Sequence, residues 1–345
     1  MPPIPLPARA LPRAALVALA FWALGASPLA ADGPQIIRAS QIFESGHPIS
    51  LGLERYGELA REKTEGRVRF KIVDATRFGG ERDLVEALQM GELDLIAITS
   101  SVMDIVISDF LALDLPYLFP NLATARAFLD GPLGLSYLRR PEGQGLIGLT
   151  YFDNGFRNIS SASKPILLPR DLRGLRVRTI ESRVHVAAFR EIGAIPVPTP
   201  YRDMYQELLE GDIDASENSI PSVIANRLYE VQNYYSLTEH FYLASPLFMS
   251  GAAWSKLAPA ERAVMRSAAE EAKIFQRGVA DSQDRVLSLT QAAPSIGVNA
   301  NIDRASWARA MAPVRARFRG EIGESEMAAL LAAIEEIRAG DEFAP

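Results

Sequence analysis

The chain has no cysteine. Disulfide staples and thiolate chemistry are therefore excluded, and so is the lipid-modified cysteine of a lipoprotein anchor. A chain of 345 residues can bury an adequate core without staples, so export to an oxidising compartment remains compatible with this absence. Histidine is almost as scarce. His47, His185 and His240 lie far apart in sequence and read as packed or surface residues rather than metal ligands. Lysine is confined to Lys63, Lys71, Lys164, Lys256 and Lys273, and a net charge of −6 gives no basic face for a nucleic-acid partner. There is no G-x-S-x-G, no P-loop and no H-E-x-x-H. Gly143–Gly148 fits G-x-G-x-x-G by letter only. It precedes an apolar strand, where a dinucleotide site needs the strand first, so it reads as a turn. No cofactor or metal is called for.

Long apolar runs are also missing, with one exception at the start. Arg9 and Arg13 precede the run Ala14–Gly25, and small residues follow at Ala26, Ser27, Ala30 and Ala31. This is the layout of a secretory signal peptide over residues 1–31, cleaved after Ala30 or Ala31. The run is shorter than the ~20 apolar residues a membrane span needs. A periplasmic protein, at most peripheral to the membrane, is expected.

The remaining chain is ordinary globular material, 48% hydrophobic and 23% charged, and its length suggests about two domains. A strand is expected over 35–40, a helix over 48–65, a half-buried strand over 67–73, a helix over 81–90 and an apolar strand over 93–99. This alternation implies βαβ units and a largely parallel sheet. The segment Asp83–Asp94 echoes Asp203–Asp214: in each, a helix closes on glycine and an acidic residue, an aliphatic and an aspartate lead into a strand. One such unit per lobe gives a two-lobed chain. Towards the end, a helix from Pro259 to about Thr290 would form a rod of roughly 45 Å, long enough to cross both lobes. Helices over 303–319 and 324–338 follow, with Gly340 as a stop.

The densest information lies between Lys164 and Asn218. Leu175–Ile180 reads as a strand, with Arg176 and Arg178 on one side; by spacing alone that side is a solvated face. Arg157 stands in Asp153–Asn158, a turn after the apolar strand Leu146–Phe152. Asn218 ends a strand, where open α/β sheets usually bind ligands. Taken in order, the D-N-G-F-R turn, Lys164-Pro165-Ile166, the strand Pro169–Arg178, Gly193–Pro198, Tyr205 and Gly211–Asn218 resemble the solute-binding proteins of tripartite ATP-independent periplasmic (TRAP) transporters. His47-Pro48, Phe78–Glu81, Leu115–Phe119 and Leu237–His240 extend the resemblance over nearly the whole mature chain.

The resemblance implies an α/β, two-lobed periplasmic binding protein of type II-like design, with the long helix spanning both lobes. Lobe I would be 32–154 plus 244–283, and lobe II 155–243 plus 284–345. It implies capture of a small organic acid and delivery to TRAP membrane permease subunits, with no bond made or broken. The protein would be a monomer, with a dimer as the other possibility. A sugar acid such as a hexuronate is the expected ligand, and a C4-dicarboxylate the alternative. A periplasmic enzyme on organic acids is the rival class, and delivery to a sensor kinase a third. Arg178 would clamp the carboxylate with its planar fork. Asn218 would hold that arginine or the carboxylate, Arg157 would add a second positive contact, and Tyr201 would set a ring and hydroxyl against the ligand. Opposite them Ser40, Gln41, Thr99, Ser100 and Glu81 are candidates for ligand hydroxyls. Two departures stand out: Ser216 where glutamine is usual, and Glu181 close after the clamp.

Overall fold

The computed structural model describes residues 33–342; the leader read at 1–31 lies outside the described residues. The N-terminal part runs β1 (Gln35–Ser40), α1 (Pro48–Lys63), β2 (Val68–Ile72), α2 (Glu81–Met90), β3 (Leu95–Ala97), α3 (Leu122–Asp130) and α4 (Pro132–Arg139). The middle runs β4 (Leu146–Ser161), β5 (Arg176–Thr179), α5 (Arg183–Glu191), β6 (Ile195–Pro198), α6 (Met204–Glu210), β7 (Ala215–Asn218), α7 (Ile220–Ala225) and β8 (Tyr234–Ser250). The C-terminal part is α8 (Gly251–Lys256), α9 (Pro259–Gln283), α10 (Val286–Ala292), β9 (Gly297–Asn299), α11 (Arg304–Ile322) and α12 (Glu324–Glu342).

One sheet carries the order β2-β1-β3-β8-β4-β7-β5-β6, with β9 beside β8. Its outer portions, β2-β1-β3 and β7-β5-β6, are parallel. Its centre is not: β8 and β4 run antiparallel to each other, β8 to β3 and β4 to β7, while β9 lies parallel beside β8. The expectation of a largely parallel sheet is thus corrected. The supposed turn at Asp153–Asn158 is part of β4, which continues without a break to Ser161. The turn-forming residues are absorbed by β-bulges, with register shifts at Gly148/Thr150, Asp153/Gly155 and Arg157/Ile159. Gly155 takes φ +94° there. Gln276 of α9 accepts from the Asp153 N–H at 2.9 Å and donates to its carbonyl at 2.8 Å, so the backbone groups freed at the bulge stay paired.

Side chains alternate between the two covered faces. In β3, Leu95 and Ala97 join the core beneath α1 and α9, while Ile96 and Ile98, one residue past its end, join the core beneath α2–α5, α11 and α12. The result is helix, sheet, helix. At Gly148 the backbone of α4 comes so close that a Cβ would lie 2.3 Å from the Leu138 carbonyl oxygen. Gly148→Ala should therefore destabilise the fold by ~1–3 kcal/mol, a melting drop of several degrees. An unchanged melting curve would show that the approach is not so tight.

The internal echo has a structural basis. α2 ends on Gly91 and α6 on Gly211, both left-handed near φ 75°. Asp94 accepts the backbone N–H of Arg38 at 2.8 Å and both arms of its guanidinium, while Arg38 also reaches the Gly91 carbonyl. Asp214, Arg176 and Gly211 repeat every one of these bonds. Arg176 is thus part of a joint between strand and helix end, and only half exposed.

The long helix is shorter than expected. α9 ends at Gln283, about 37 Å from its start at 1.5 Å per residue. Asp284 packs against Gly155 of β4, and the Arg285 side chain donates to the Asp281 carbonyl at 2.7 Å, closing the helix end before α10 begins. α12 runs past Gly340 to Glu342, so that glycine is not a stop. Among the described residues, no helix is long and apolar enough to cross a membrane.

Candidate ligand-binding site

The carboxyl ends of β1, β2 and β3 face those of β5 and β6 across a cleft with about 620 Å³ of empty space, its mouth included. Glu81, Thr99, Arg157, Arg178 and Tyr201 all line it. The structure therefore brings together five of the nine residues singled out in the sequence.

Arg178 is the penultimate residue of β5 and is 2% exposed. It is buried at the cleft rather than on the solvated face suggested by its spacing, although Arg176 on the same side is half exposed. Its Nε and Nη2 donate to the Thr199 carbonyl at 3.1 and 2.7 Å. Its Nη1 is buried with no partner. No carboxylate lies within salt-bridge distance of it among the described residues. Burial lowers its pKa to about 10, with Glu217, Tyr201 and Glu81 opposing the shift and Arg157 adding to it. The group stays charged at neutral pH.

Arg157 is in the opposite condition. Its Nε donates to Glu217 Oε2, and its Nη2 to the Glu217 carbonyl and, at 3.3 Å, to Asn218 Oδ1. Glu217 is fully buried. Burial alone would raise its carboxyl, but Arg157 first, then His185 and His240, hold it well below the usual carboxylate range. Those imidazoles approach it at 3.5 and 3.7 Å. Asn218 does not line the cleft. It sits behind, holds Arg157 rather than Arg178, and donates to Ser216 Oγ at 3.1 Å.

Tyr201 is 8% exposed, and its hydroxyl donates to Glu44 at 3.2 Å. Glu44 is not a lining residue, so the hydroxyl is committed to a group outside the lining. Phe43 lies edge-on to that ring, centroids 5.3 Å apart, and stacks on His47 at 4.2 Å. His47 caps α1, accepting from Ile49 N through Nδ1, and its Nε2 meets Ser222 Oγ at 3.2 Å. Burial, then Arg157, lower its pKa to about 3, so it stands neutral behind Phe43 rather than in the lining.

Glu81 opens α2, where the helix dipole favours a negative charge. Its two oxygens accept from the Thr99 N–H at 2.6 Å and the Thr99 hydroxyl at 2.7 Å. Burial raises its pKa against those bonds and against Arg178 and Arg157. Ser40, Gln41 and Ser100 lie outside the lining. Ser40 Oγ is spent on the Val73 carbonyl, and Gln41 on Phe43 and Ser50. Ser100 is buried without a hydrogen bond. Sequence reasoning missed Phe43, Asn154, Thr199 and the ion partner Glu217. Asn154, Thr199 and Glu217 lay in stretches already marked, Asn154 inside the D-N-G-F-R segment and Glu217 directly before Asn218, whereas Phe43 did not. Among the described residues no group of three or more His, Cys, Asp or Glu could hold a metal ion.

Known proteins share the family and the fold of this chain. A family model described as bacterial extracellular solute-binding protein, family 7, matches residues 39–321. The 2,3-diketo-L-gulonate-binding periplasmic protein YiaO of Escherichia coli K12 is 30% identical over 333 residues, 94% of this chain and 98% of that one. The structure of a TRAP periplasmic solute-binding protein from Polaromonas sp. JS666 bound to D-erythronate is 30% identical at TM-score 0.83, covering 86% of this chain and 98% of that one. The sugar acid-binding protein DctPAm of Advenella mimigardefordensis, in complex with galactonate, is 25% identical at TM-score 0.84, covering 88% and 99%. Such proteins bind and deliver solutes and are not enzymes. The chain belongs to family 7 of the bacterial extracellular solute-binding proteins, the solute-binding subunits of TRAP transporters.

Proposed function

We propose that the chain captures a sugar acid, such as a hexuronate or an aldonate, in this cleft outside the cytoplasmic membrane and delivers it to TRAP permease subunits. One observation carries the reading: among the described residues Arg178 is a buried cation with a free Nη1 and no counter-ion. A buried charge without a partner is costly, and a ligand carboxylate relieves that cost through the guanidinium fork. The similar proteins found with galactonate and D-erythronate support the ligand class. The lobes are taken as 32–154 with 244–283 and 155–243 with 284–345. Glu81 and Thr99 would then belong to one lobe and Arg157, Arg178 and Tyr201 to the other, so a ligand touching both favours the closed form that the permease recognises.

The test is a thermal-shift panel of hexuronates, aldonates, aldarates, C4-dicarboxylates, 2-oxo acids and aromatic acids on the mature protein. A ligand at 100 times its dissociation constant adds about 2.7 kcal/mol, a rise of several degrees. Hits among hexuronates or aldonates are expected. Silence across the panel, with native mass spectrometry showing an empty protein, overturns the reading.

A further inference from the structure

The charges lining the cleft are unevenly compensated. Arg157 is cancelled by Glu217, which is buried directly against it. Arg202 also lines the cleft, but it is exposed and lies 3.4 Å from Asp203; among the described residues Arg178 is the buried lining cation left without a counter-ion. Two acids line the same cleft, Glu81 and Glu181. Neither lies within salt-bridge distance of a basic side chain among the described residues. Each Glu81 oxygen accepts one bond from Thr99 and keeps acceptor capacity. Glu181 follows β5 on the far side of the cleft, yet its carboxylate reaches the start of α2: a Cβ on Gly80 would lie 3.3 Å from Glu181 Oε2. Its backbone is held there, since Arg82 Nη2 donates to the Glu181 carbonyl at 3.0 Å. The Glu181 side chain has no hydrogen-bond partner of its own among the described residues. Two carboxylates from the two sides thus converge at the start of α2, in the same cleft as the free guanidinium.

We infer that Glu81 and Glu181 restrict the cleft to acids with one carboxylate and hydroxyl donors at the other end, and that Glu181 is a specificity-determining residue. This rests on the sugar-acid reading above and narrows it. One buried free cation matches one carboxylate. A ligand carrying a second carboxylate would set it against two fixed acids with only the exposed, Asp203-paired Arg202 remaining, and such like-charge juxtaposition is the usual means of rejecting a wrong partner. A terminal hydroxymethyl or ring hydroxyl meets acceptors instead.

The test is calorimetric titration of the mature protein with matched pairs: D-galactonate and galactarate, D-gluconate and D-glucarate, D-erythronate and meso-tartrate. Each pair shares its carbon skeleton and differs in the terminal group. At least one aldonate should bind, and its aldarate should bind about 100-fold more weakly. Glu181→Gln should shrink that ratio about tenfold, chiefly by improving the aldarate. Its melting temperature should stay near that of the parent, because the half-buried side chain holds nothing else in place. Glu81→Gln should shrink the ratio as well while weakening the aldonate. An aldarate binding within threefold of its aldonate, or a ratio untouched in Glu181→Gln, overturns the inference and leaves the sugar-acid reading standing. No binding by any member of the pairs, nor by D-galacturonate, overturns both.

Discussion

Arg178→Ala should weaken sugar-acid binding by ~2–5 kcal/mol, about 30-fold to several thousand-fold, while leaving the unliganded fold nearly as stable as before. The two halves of this expectation have separate causes. Binding suffers because the ligand carboxylate is left desolvated in a cleft whose other buried arginine is already committed to Glu217. Stability does not suffer, because the guanidinium is a charge buried without a counter-ion. Its only bonds are the two to the Thr199 carbonyl. Its lowered pKa expresses the same fact: folding disfavours the charged form until an anion arrives. Arg178→Lys should recover little, since an ammonium lacks the planar fork. The discriminating measurement pairs titration with melting curves. A large drop in the unliganded melting temperature would make Arg178 a structural residue, and affinity within threefold of the parent would remove it from the clamp.

Glu217→Gln should act in the reverse order, on the fold first. Removing one partner of a buried pair strands the other, at ~3–5 kcal/mol, on the order of ten degrees of melting temperature. Here the stranded charge would be Arg157, with His185 and His240 losing their shared acceptor. The acid profile should change too. Glu217 has a folded pKa well below the ordinary 4.5, so the stability it supplies is complete above 4.5 and is lost as pH falls through the lower folded value. Above that window the parent should be the more stable protein, and the gap should close as both are acidified through it. An unfolding series from pH 7 to pH 2 would show this. Parallel curves across the range would show that Glu217 carries no net charge in the fold.

Local signals in the sequence were followed closely where the chain settles matters locally. The bounds of α2 and its glycine stop come from helix propensity and a left-handed cap. The repeated aspartates mark real joints, because each must lie one short turn from its strand. The errors share another cause. Asp153-Asn154-Gly155 are turn formers, and only the partner strand β8 and Gln276, far away in sequence, keep them extended. Arg178 looks solvated by alternation, because alternation cannot report that it lies buried at the cleft while Arg176 on the same side is half exposed. Ser40, Gln41 and Ser100 were placed at strand ends, but strand ends carry the backbone groups of neighbouring loops, and two of the three side chains are used up on these. Glu217 was invisible as a partner because nothing in the chain shows that residue 217 faces residue 157.

The three register shifts of β4 have a mechanical meaning. An unbroken antiparallel ladder is stiff across its plane, and every interruption removes a rung. Between Gly148 and Ile159 the ladder is interrupted three times, whereas the parallel flanks are paired without a shift. Compliance is therefore concentrated in a central strand of the sheet. Arg157 sits at the last interruption, bound to Glu217 of the neighbouring β7. Any bend of the sheet at that point must carry the arginine with it.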